Sequence, residues 1–370
     1  MTMWNPYFLP FALIFLFNCH PTKKKASKED DRWMLDGFVK MNALNPILVA
    51  DTSTLFLDPI RKKKVQWQGK DVFNPSSMVL NDQLVLLYRG EDFIGKYNGT
   101  SRIGLARSSD GIHFIREDQP VFYPQEDDLK SIEWEGGVED PRIVVDDLGI
   151  YWMTYTAYDG QVARLLMASS EDLLHWRKHG SVFENEIDAD RWTKSGSIVC
   201  VLKGNSMVAT QINGSYVMYF GDTDLFMATS KNLISWTILK DQNGDWKKVL
   251  SPRPGKFDSR LVEPGPPAII TQKGILLLYN GMNLDEGGAA DLPGGTYSAG
   301  QALFDLADPM HLIKRSQTPF LKPSEPYELE GQVNQVCFIE GLSYFQNRWY
   351  LFYGTADSKI AMAVSESTLP

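Results

Sequence analysis

One pattern of strands recurs five times along the sequence, and this repeat restricts the fold more than any other feature. Each unit has a short apolar strand, a turn, and an aromatic-rich strand that usually ends in Tyr or Phe and Gly. The five pairs are 73–80 with 84–90, 140–145 with 151–155, 196–199 with 216–221, 263–270 with 275–281, and 336–339 with 349–354. Short, regularly spaced strands without a long amphipathic helix predict an all-β fold. Five units of four strands arranged radially predict a five-bladed β-propeller.

Composition excludes several classes of function. The chain has 370 residues, of which 43% are hydrophobic, and a net charge of −9. This negative balance argues against nucleic acid as a partner. Cys19, Cys200 and Cys337 match neither a zinc motif nor a disulfide framework, and we expect Cys200 and Cys337 to be buried. We therefore expect no metal and no cofactor.

The N-terminus indicates export. Residues 8–17 are almost wholly apolar, too short for a membrane span but suitable for the core of a signal peptide. They end at Leu16-Phe17-Asn18-Cys19, which resembles a bacterial lipoprotein signal with Cys19 as the lipidated residue. The alternative is an apolar tail packed on the domain. We expect residues 1–30 to be signal and linker, residues 31–370 to be the propeller, and the protein to lie in the periplasm or on the outer membrane.

In a propeller the ends of the innermost strands face one another across a central channel. The corresponding positions here are Asn74, Asp140, 194–196, Glu263 and Gln335. Carboxylates at only two of the five positions are hard to explain by packing, because a buried unpaired carboxylate is costly. Two carboxyl groups in different environments suit glycoside cleavage, one as general acid and one as base or nucleophile. We expect burial beside Glu139 to raise the pKa of Asp140, with Arg142 opposing that shift.

The segment 134–143 contains a tryptophan, three carboxylates and an arginine around a glycine pair. An aromatic face packs well on the apolar side of a sugar ring, so Trp134 is a candidate wall of a sugar pocket. Arg142 is a candidate substrate contact. The alternative is a turn before a buried strand, with solvated charges and an ordinary buried tryptophan.

Several motifs resemble glycoside hydrolase family 130, a family of β-mannoside phosphorylases and β-mannosidases on a five-bladed propeller. The matching segments, in chain order, are 136–142, 155–158, 164–168, 263–267 and 353–357. The resemblance implies that Asp140 is the general acid, acting in the phosphorylases through a sugar hydroxyl. It also implies a phosphate-binding position at Arg164 and a substrate contact at Tyr158. Further contacts with mannose or phosphate are implied for Asn74, Ser76, Arg89 and Asp357.

The third unit departs from the phosphorylase pattern. Phosphorylases place basic residues there, because phosphate binding depends on charge-assisted contacts. This chain has Asp222 and Asp224 instead. Hydrolytic members carry acidic residues there and in the fourth unit, and Asp222 and Glu263 match those places. We favour Glu263 as the base, which leaves Asp222 as a second base, a substrate ligand or a turn residue.

Three hypotheses follow. The first is an inverting exo-β-mannosidase acting on β-1,2-linked mannose, with the carboxyl groups of Asp140 and Glu263 about 6.5–9.5 Å apart. The second is a phosphorylase releasing mannose 1-phosphate, with phosphate held by Arg89, Arg164 and Lys194. The third is a surface propeller that binds glycans without catalysis. In each case the partner is an oligosaccharide, and the oligomeric state is left open.

Overall fold

The computed structural model describes residues 32–370, so the predicted signal segment and Cys19 lie outside the described residues. The described part contains 27 strands and three short helices. The first half comprises β1 Val39–Lys40, β2 Phe56–Asp58, β3 Lys63–Val65, β4 Asp71–Leu80, β5 Gln83–Glu91, β6 Ser101–Ser108, β7 Ile115–Arg116, α1 Lys130–Glu133, β8 Gly137–Val145, β9 Tyr151–Tyr158, β10 Ala163–Ser170, β11 Arg177–Ser181 and α2 Glu186–Ala189. The second half comprises β12 Ser197–Ile198, β13 Cys200–Lys203, β14 Ser206–Ala209, β15 Gln211–Ile212, β16 Ser215–Phe220, β17 Leu225–Ser230, β18 Trp236–Ile238, β19 Lys248–Leu250, β20 Leu261–Pro264, β21 Ile269–Thr271, β22 Gly274–Met282, β23 Tyr297–Phe304, β24 Leu312–Arg315, α3 Pro326–Leu329, β25 Cys337–Phe345, β26 Arg348–Thr355 and β27 Lys359–Ser365.

The all-β prediction is confirmed, and all five predicted strand pairs form antiparallel ladders. The strands form five antiparallel groups: β4 to β7, β8 to β11, β12 with β16 to β18, β20 to β24, and β25 to β27 with β1. Hydrogen bonding links some groups, so the strands make sheets of four, fifteen, six and two strands rather than five separate blades. No helix in residues 32–370 is both long and apolar enough to cross a membrane.

One strand in each group is largely buried on both faces, and these strands are β5, β9, β16, β22 and β26. Residues 84–88 of β5 are all apolar and 0% exposed, and residues 275–279 of β22 are likewise fully apolar and buried. A strand covered on both faces shows a continuous apolar run instead of alternation. This explains why the repeat is visible in the sequence. Cys200 and Cys337 are buried free thiols in the largest apolar cluster, as predicted.

The two ends of the described chain meet in one sheet. Strand β1 pairs antiparallel with β27, through Val39 opposite Val364 and Lys40 opposite Ala363. The N-terminal strand therefore supplies the fourth strand of the last group. Sequence analysis did not find this strand, because two residues carry no periodic pattern.

Each strand group also contains a buried polar cluster, which we call its clamp. In four clamps a carboxyl group that precedes the innermost strand accepts hydrogen bonds from Tyr or Trp and from a cation on or just beyond the outermost strand. In the first clamp the neutral Gln68 takes the place of the carboxyl group. The clamps are Gln68–Tyr88–Arg116, Glu133–Tyr155–Lys178, Asp188–Trp246–Lys240, Asp258–Tyr279–Arg315 and Glu328–Tyr353–Lys40, with donor–acceptor distances of 2.5–3.2 Å.

The innermost strands β4 and β8 each contain a β-bulge at the corresponding position. Asn74 and Asp140 have φ of 46° and 50°, a left-handed conformation that Asn and Asp tolerate better than most residues. Each precedes a proline, Pro75 or Pro141, which has no N–H to give to the ladder. The register of both strands shifts at this point. A bulge redirects a side chain, and here it brings Asn74 and Asp140 together.

Candidate active site

Asp140 lies at the centre of a buried polar site. Three side chains from two other strand groups contact its carboxyl group: Asn74 Nδ2 donates to Oδ1 at 3.0 Å, Arg89 Nη1 lies 3.5 Å from Oδ1, and Lys194 Nζ lies 3.5 Å from Oδ2. The residue is 3% exposed. The structure thus brings together four of the residues that sequence analysis selected.

Arg89 is shared among several carboxylates. Its Nη2 lies 2.5 Å from Glu91 and 3.0 Å from Glu139, and its Nε donates to Ser101 Oγ at 2.9 Å. The guanidinium also lies 4.6 Å from the centre of the Phe73 ring. These contacts fix the orientation of the Arg89 side chain and pair its positive charge with carboxylates of the protein.

Glu263 faces the same site as Asp140. Ser195 Oγ donates a hydrogen bond to Glu263 Oε1, while the preceding residue, Lys194, contacts Asp140. Two consecutive residues therefore contact the two carboxyl groups. Glu263 is 4% exposed, so both groups are withdrawn from bulk solvent.

Arg142 is buried, with 2% of its surface exposed, and it donates hydrogen bonds to main-chain carbonyls beside both carboxyl groups. Its Nη2 and Nε donate to the carbonyls of Pro264 and Gly265 at 2.8 Å, and its Nη1 donates to the Asp140 carbonyl at 3.2 Å. The same side chain thus ties the main chain at Asp140 to the main chain that follows Glu263. Its Nη2 also lies 3.6 Å from the fully buried Glu340. These contacts give Arg142 a positioning role within the protein.

The protonation states differ from those expected from the sequence. Burial alone would raise the pKa of Asp140, but Lys194, Arg89 and Arg142 outweigh burial and lower it to about 2. The expected rise in the pKa of Asp140 was therefore wrong, because three cations converge on it rather than Arg142 alone. Burial raises the pKa of Glu263 to about 7, with Lys194 opposing. Of these two carboxyl groups, Glu263 is therefore the one that holds a proton near neutral pH in the unliganded protein.

Burial favours the neutral, protonated form of three other acidic groups around this site. Burial raises the pKa of Asp357 to about 7, against the attraction of Arg89, and burial likewise raises the pKa of Glu139. Burial raises the pKa of Glu340 well above its usual range. Such shifts cluster at functional sites, where desolvation and charge partners are arranged together.

Three other predicted site residues lie around this centre or beyond it. Ser76 is 1% exposed, and its Oγ has no hydrogen-bond partner within residues 32–370. Trp134 is half-buried, with the Arg61 guanidinium 4.7 Å from its ring centre. Arg164 is paired with Asp159 at 2.7 Å and Asp190 at 3.2 Å. Its contacts are thus separate from those of Arg89 and Lys194 at Asp140.

An aromatic row that includes Tyr158 leads from the site towards Asp222. The Tyr158 ring lies 6.3 Å from Tyr97 and 6.4 Å from Trp192, and the Trp192 indole Nε1 donates to Asp222 Oδ2 at 2.6 Å. Sequence analysis missed Tyr97 and Trp192, since both lie on irregular segments between strands. It also missed Glu91, at the end of β5, and Glu340, a charged residue within the largely apolar β25.

Within residues 32–370, no group of three or more His, Cys, Asp or Glu side chains is arranged to hold a metal ion. Two buried carboxyl groups of different pKa, set among cations in an all-β fold, define the class of enzymes that cleave glycosidic bonds.

Comparison with known proteins identifies the family within that class. A family model described as beta-1,4-mannooligosaccharide phosphorylase matches residues 48–368, so the chain belongs to glycoside hydrolase family 130, whose enzymes act on mannosides. A 1,2-beta-oligomannan phosphorylase from Thermoanaerobacter sp. (strain X514) is 33% identical over 315 residues, covering 82% of this chain and 93% of its own.

Two solved structures are more similar in sequence. A glycosyl hydrolase from Bacteroides ovatus is 45% identical, with a TM-score of 0.86, and covers 90% of this chain and 94% of its own. The other is 43% identical, with a TM-score of 0.88, and covers 91% of this chain and 97% of its own. It belongs to work reporting that the GH130 family of mannoside phosphorylases contains glycoside hydrolases that target beta-1,2 mannosidic linkages in Candida mannan.

Proposed function

We propose that this protein is an inverting exo-acting β-mannosidase that hydrolyses β-1,2-linked mannosides, with Asp140 as general acid and Glu263 as general base. The observation that carries the proposal is that Lys194 and Ser195, adjacent in the chain, contact the two carboxyl groups. These contacts, with the burial of both residues, support one buried site that contains both groups. An oligosaccharide of mannose is the proposed substrate.

In the proposed reaction Asp140 supplies a proton to the glycosidic oxygen, directly or through a sugar hydroxyl, as the bond from the anomeric carbon to that oxygen breaks. Water attacks the anomeric carbon from the opposite face, and Glu263 accepts its proton. The products are α-mannose and the shortened oligosaccharide. One proton leaves Asp140 and one reaches Glu263, so the pair keeps its total charge.

Water is favoured over phosphate as nucleophile by the charges at the site. Arg89 and Lys194 lie beside Asp140, and Arg89 also contacts Glu91 and Glu139. At 4 Å a carboxylate repels each unit of negative charge by about 4 kcal/mol at an effective dielectric constant of 20. The structure whose description names β-1,2-directed hydrolases is 43% identical, against 33% for the phosphorylase.

Phosphorolysis is the second candidate. The phosphorylase relative covers 82% of this chain, and Arg89 and Lys194 supply two cations at Asp140. Against it, Arg164, the position implied for phosphate, is paired with two carboxylates. The remaining alternative, a glycan-binding propeller without catalysis, has no separate observation in its favour.

We propose that the five strand groups are the blades of a five-bladed β-propeller. The support is the set of five clamps, which occur once per group and in chain order, and the use of Lys40 from β1 in the last one. Pairing of β1 with β27 also joins the two ends of the described chain in one group. Export, with lipid attachment at Cys19, stays a prediction for residues 1–30 and places the enzyme in the periplasm or on the outer membrane.

The test uses β-1,2-mannobiose with and without inorganic phosphate, followed by NMR of the first product formed. We expect release that is independent of phosphate, with α-mannose appearing before its slow conversion to the β anomer. Mannose 1-phosphate formed on addition of phosphate would establish phosphorolysis instead. The Asp140→Asn variant serves as control, and a wild-type protein that binds mannobiose without cleaving it would favour the glycan-binding alternative.

A further inference from the structure

Glu340 is a buried carboxyl group that the proposed reaction does not use. It is 0% exposed, and neither of its carboxyl oxygens has a hydrogen-bond partner within residues 32–370. Arg142 Nη2 lies 3.6 Å from its Oε2, which is longer than a hydrogen bond. A buried polar group without hydrogen bonds lowers stability. Stability therefore does not explain why a glutamate occupies this position.

A β-bulge directs the Glu340 side chain. The register of β25 on β26 shifts between Ile339 and Gly341, so Glu340 is the extra residue of the bulge. The Asn280 side chain fixes one side of the bulge, since it hydrogen-bonds to the N–H and the carbonyl of Ile339 at 2.8 and 3.0 Å. The other side lies against β4, because a Cβ on Gly341 would be 2.7 Å from the Pro75 carbonyl oxygen. The conformation of the bulge is thus set by two neighbouring strands.

These two contacts connect the bulge to both halves of the catalytic centre. Asn280 lies opposite Glu263 in the ladder of β20 with β22. Pro75 directly follows Asn74, whose amide donates to Asp140. The bulge therefore lies against the chain segments that support both proposed catalytic groups.

Arg142 connects Glu340 to the same two groups. Its Nη1 donates to the Asp140 carbonyl, and its Nη2 and Nε donate to the carbonyls of the two residues after Glu263. All three nitrogens of the guanidinium are thus bound to main chain at the site. Glu340 supplies the carboxyl group beside Nη2, so it can influence where the guanidinium lies.

Four charged groups act on Glu340, and burial outweighs them. Burial raises the pKa of Glu340 well above its usual range, Asp140 and Glu263 raise it further, and Arg142 and Lys194 oppose the rise. Glu340 is therefore neutral at neutral pH. A neutral carboxyl group leaves the positive charge of Arg142 acting on Asp140, whereas a carboxylate would cancel it.

We propose that Glu340 is a positioning residue of the reaction, which acts through Arg142 to hold the main chain at Asp140 and the main chain after Glu263 in a fixed relation. It does so as a neutral carboxylic acid. The inference rests on the proposed function, because it takes Asp140 and Glu263 as the acid and the base. The alternative is an ion pair of a Glu340 carboxylate with Arg142 that serves stability alone.

The first test measures kcat and KM on β-1,2-mannobiose in Glu340→Met and Glu340→Gln. Glu340→Met keeps the length of the side chain but removes both oxygens. It should lower kcat at least about tenfold and change KM by less than about twofold, since a small misplacement of catalytic groups slows the reaction. Glu340→Gln keeps a neutral polar group, so it should retain most of kcat and the wild-type fall of kcat/KM at alkaline pH.

Thermal unfolding distinguishes positioning from a structural ion pair. Neither Glu340 variant should lower the unfolding midpoint, because a neutral carboxyl group without hydrogen bonds adds little stability. Glu328→Met is the matched control. Glu328 is also 0% exposed but accepts hydrogen bonds from Lys40 and Tyr353, so this variant should unfold at lower temperature and keep its kcat.

Two results of these measurements would overturn the inference. One is a lower midpoint with unchanged kcat in both Glu340 variants, which is the result expected of a structural ion pair. The other is a shift of the alkaline fall to lower pH in Glu340→Gln. Removal of a negative charge lowers the pKa of Glu263, so this shift would show that Glu340 is ionised in the wild type.

Crystal structures of the two Glu340 variants need no turnover and separate this inference from the proposed function. Displacement of the Arg142 guanidinium from its carbonyl partners in Glu340→Met, but not in Glu340→Gln, supports positioning whether the nucleophile is water or phosphate. Arg142 in its wild-type place in both variants would overturn the inference. Failure of the wild type to cleave any β-mannoside would overturn the proposed function alone.

Discussion

Asn74 and Asp140 occupy corresponding positions in two successive strand groups, and their side chains meet, with Asn74 Nδ2 donating to Asp140 Oδ1 at 3.0 Å. Both residues have a left-handed backbone conformation with positive φ, and both precede a proline. The same local distortion therefore supplies the proposed acid in one group and its hydrogen-bond donor in the other. Gly354, from a third group, lies against this pair, because a Cβ there would be 2.3 Å from Asn74 Oδ1.

The first prediction follows from this contact. Asn74→Ala should lower kcat on mannobiose by about 100-fold, the usual effect of a misplacement of about 1 Å in a catalytic group. Gly354→Ala should lower kcat in the same direction, since the added methyl group displaces Asn74 while leaving its amide in the protein. Steady-state kinetics check both variants. A Gly354→Ala enzyme with wild-type kcat would show that the Asn74 contact does not position Asp140.

The second prediction assigns the acid and the base. Asp140→Asn should lower turnover of mannobiose by about 10²–10⁴-fold, but turnover of an aryl β-mannoside whose phenol leaves without protonation should fall much less. Glu263→Gln should lower turnover of both substrates by a similar factor, since water must be activated in either case. The two variants are compared on the two substrates. If turnover of the aryl substrate fell much less in Glu263→Gln than in Asp140→Asn, the acid and base roles of the two residues would be reversed.

The third prediction concerns pH. With pKa values of about 2 for Asp140 and about 7 for Glu263, the pair holds one proton between these limits. The catalytic form also holds one proton, on Asp140 instead of Glu263. The fraction of enzyme molecules in the catalytic form therefore does not change with pH in that range. Above pH 7 the last proton leaves, and kcat/KM should fall about tenfold per pH unit. The profile of kcat/KM from pH 5 to pH 9 tests this, and an increase through pH 7 would contradict it.

Much of the fold could be predicted from the sequence, because burial of one strand in each group on both faces forces continuous apolar runs such as residues 84–88. Corresponding strand ends also predict from the sequence alone that Asp140 and Glu263 lie at one site. The clamps could not be predicted in this way. Lys40 and Glu328, which belong to one clamp, are 288 residues apart, and no local pattern links them.

The protonation states of the site residues could not be predicted from the sequence, for a related reason. A pKa depends on the sum of burial and of charges that arrive from different strands. Arg142 is close to Asp140 in sequence, but Arg89 and Lys194 reach it from other groups. Trp192 was missed because it lies on an irregular segment, where neither periodicity nor a repeat position selects it.

The last prediction uses the clamps as matched variants. Lys178→Met removes the cation from Glu133, which is 0% exposed, whereas Arg116→Met removes it from the neutral Gln68. Breaking a buried ion pair by deleting one partner costs about 3 kcal/mol or more. Arg116 donates to Gln68 and to the Val49 carbonyl, and each lost hydrogen bond to a neutral group costs about 1 kcal/mol. Denaturation midpoints should therefore fall more for Lys178→Met than for Arg116→Met.

The pH dependence of the difference in stability between Lys178→Met and Arg116→Met tests whether the charge of Glu133 causes it. Burial raises the pKa of Glu133 from 4.5 to about 7 even with Lys178 present. A group with a raised pKa in the folded state contributes stability below its unfolded pKa and loses it as pH rises through the folded pKa. Without Lys178 the pKa of Glu133 rises further, so the loss of stability should be larger at pH 8 than at pH 5. Arg116→Met should show no such change, because Gln68 does not titrate, and equal pH dependence in the two variants would show that the charge of Glu133 is not what Lys178 stabilises.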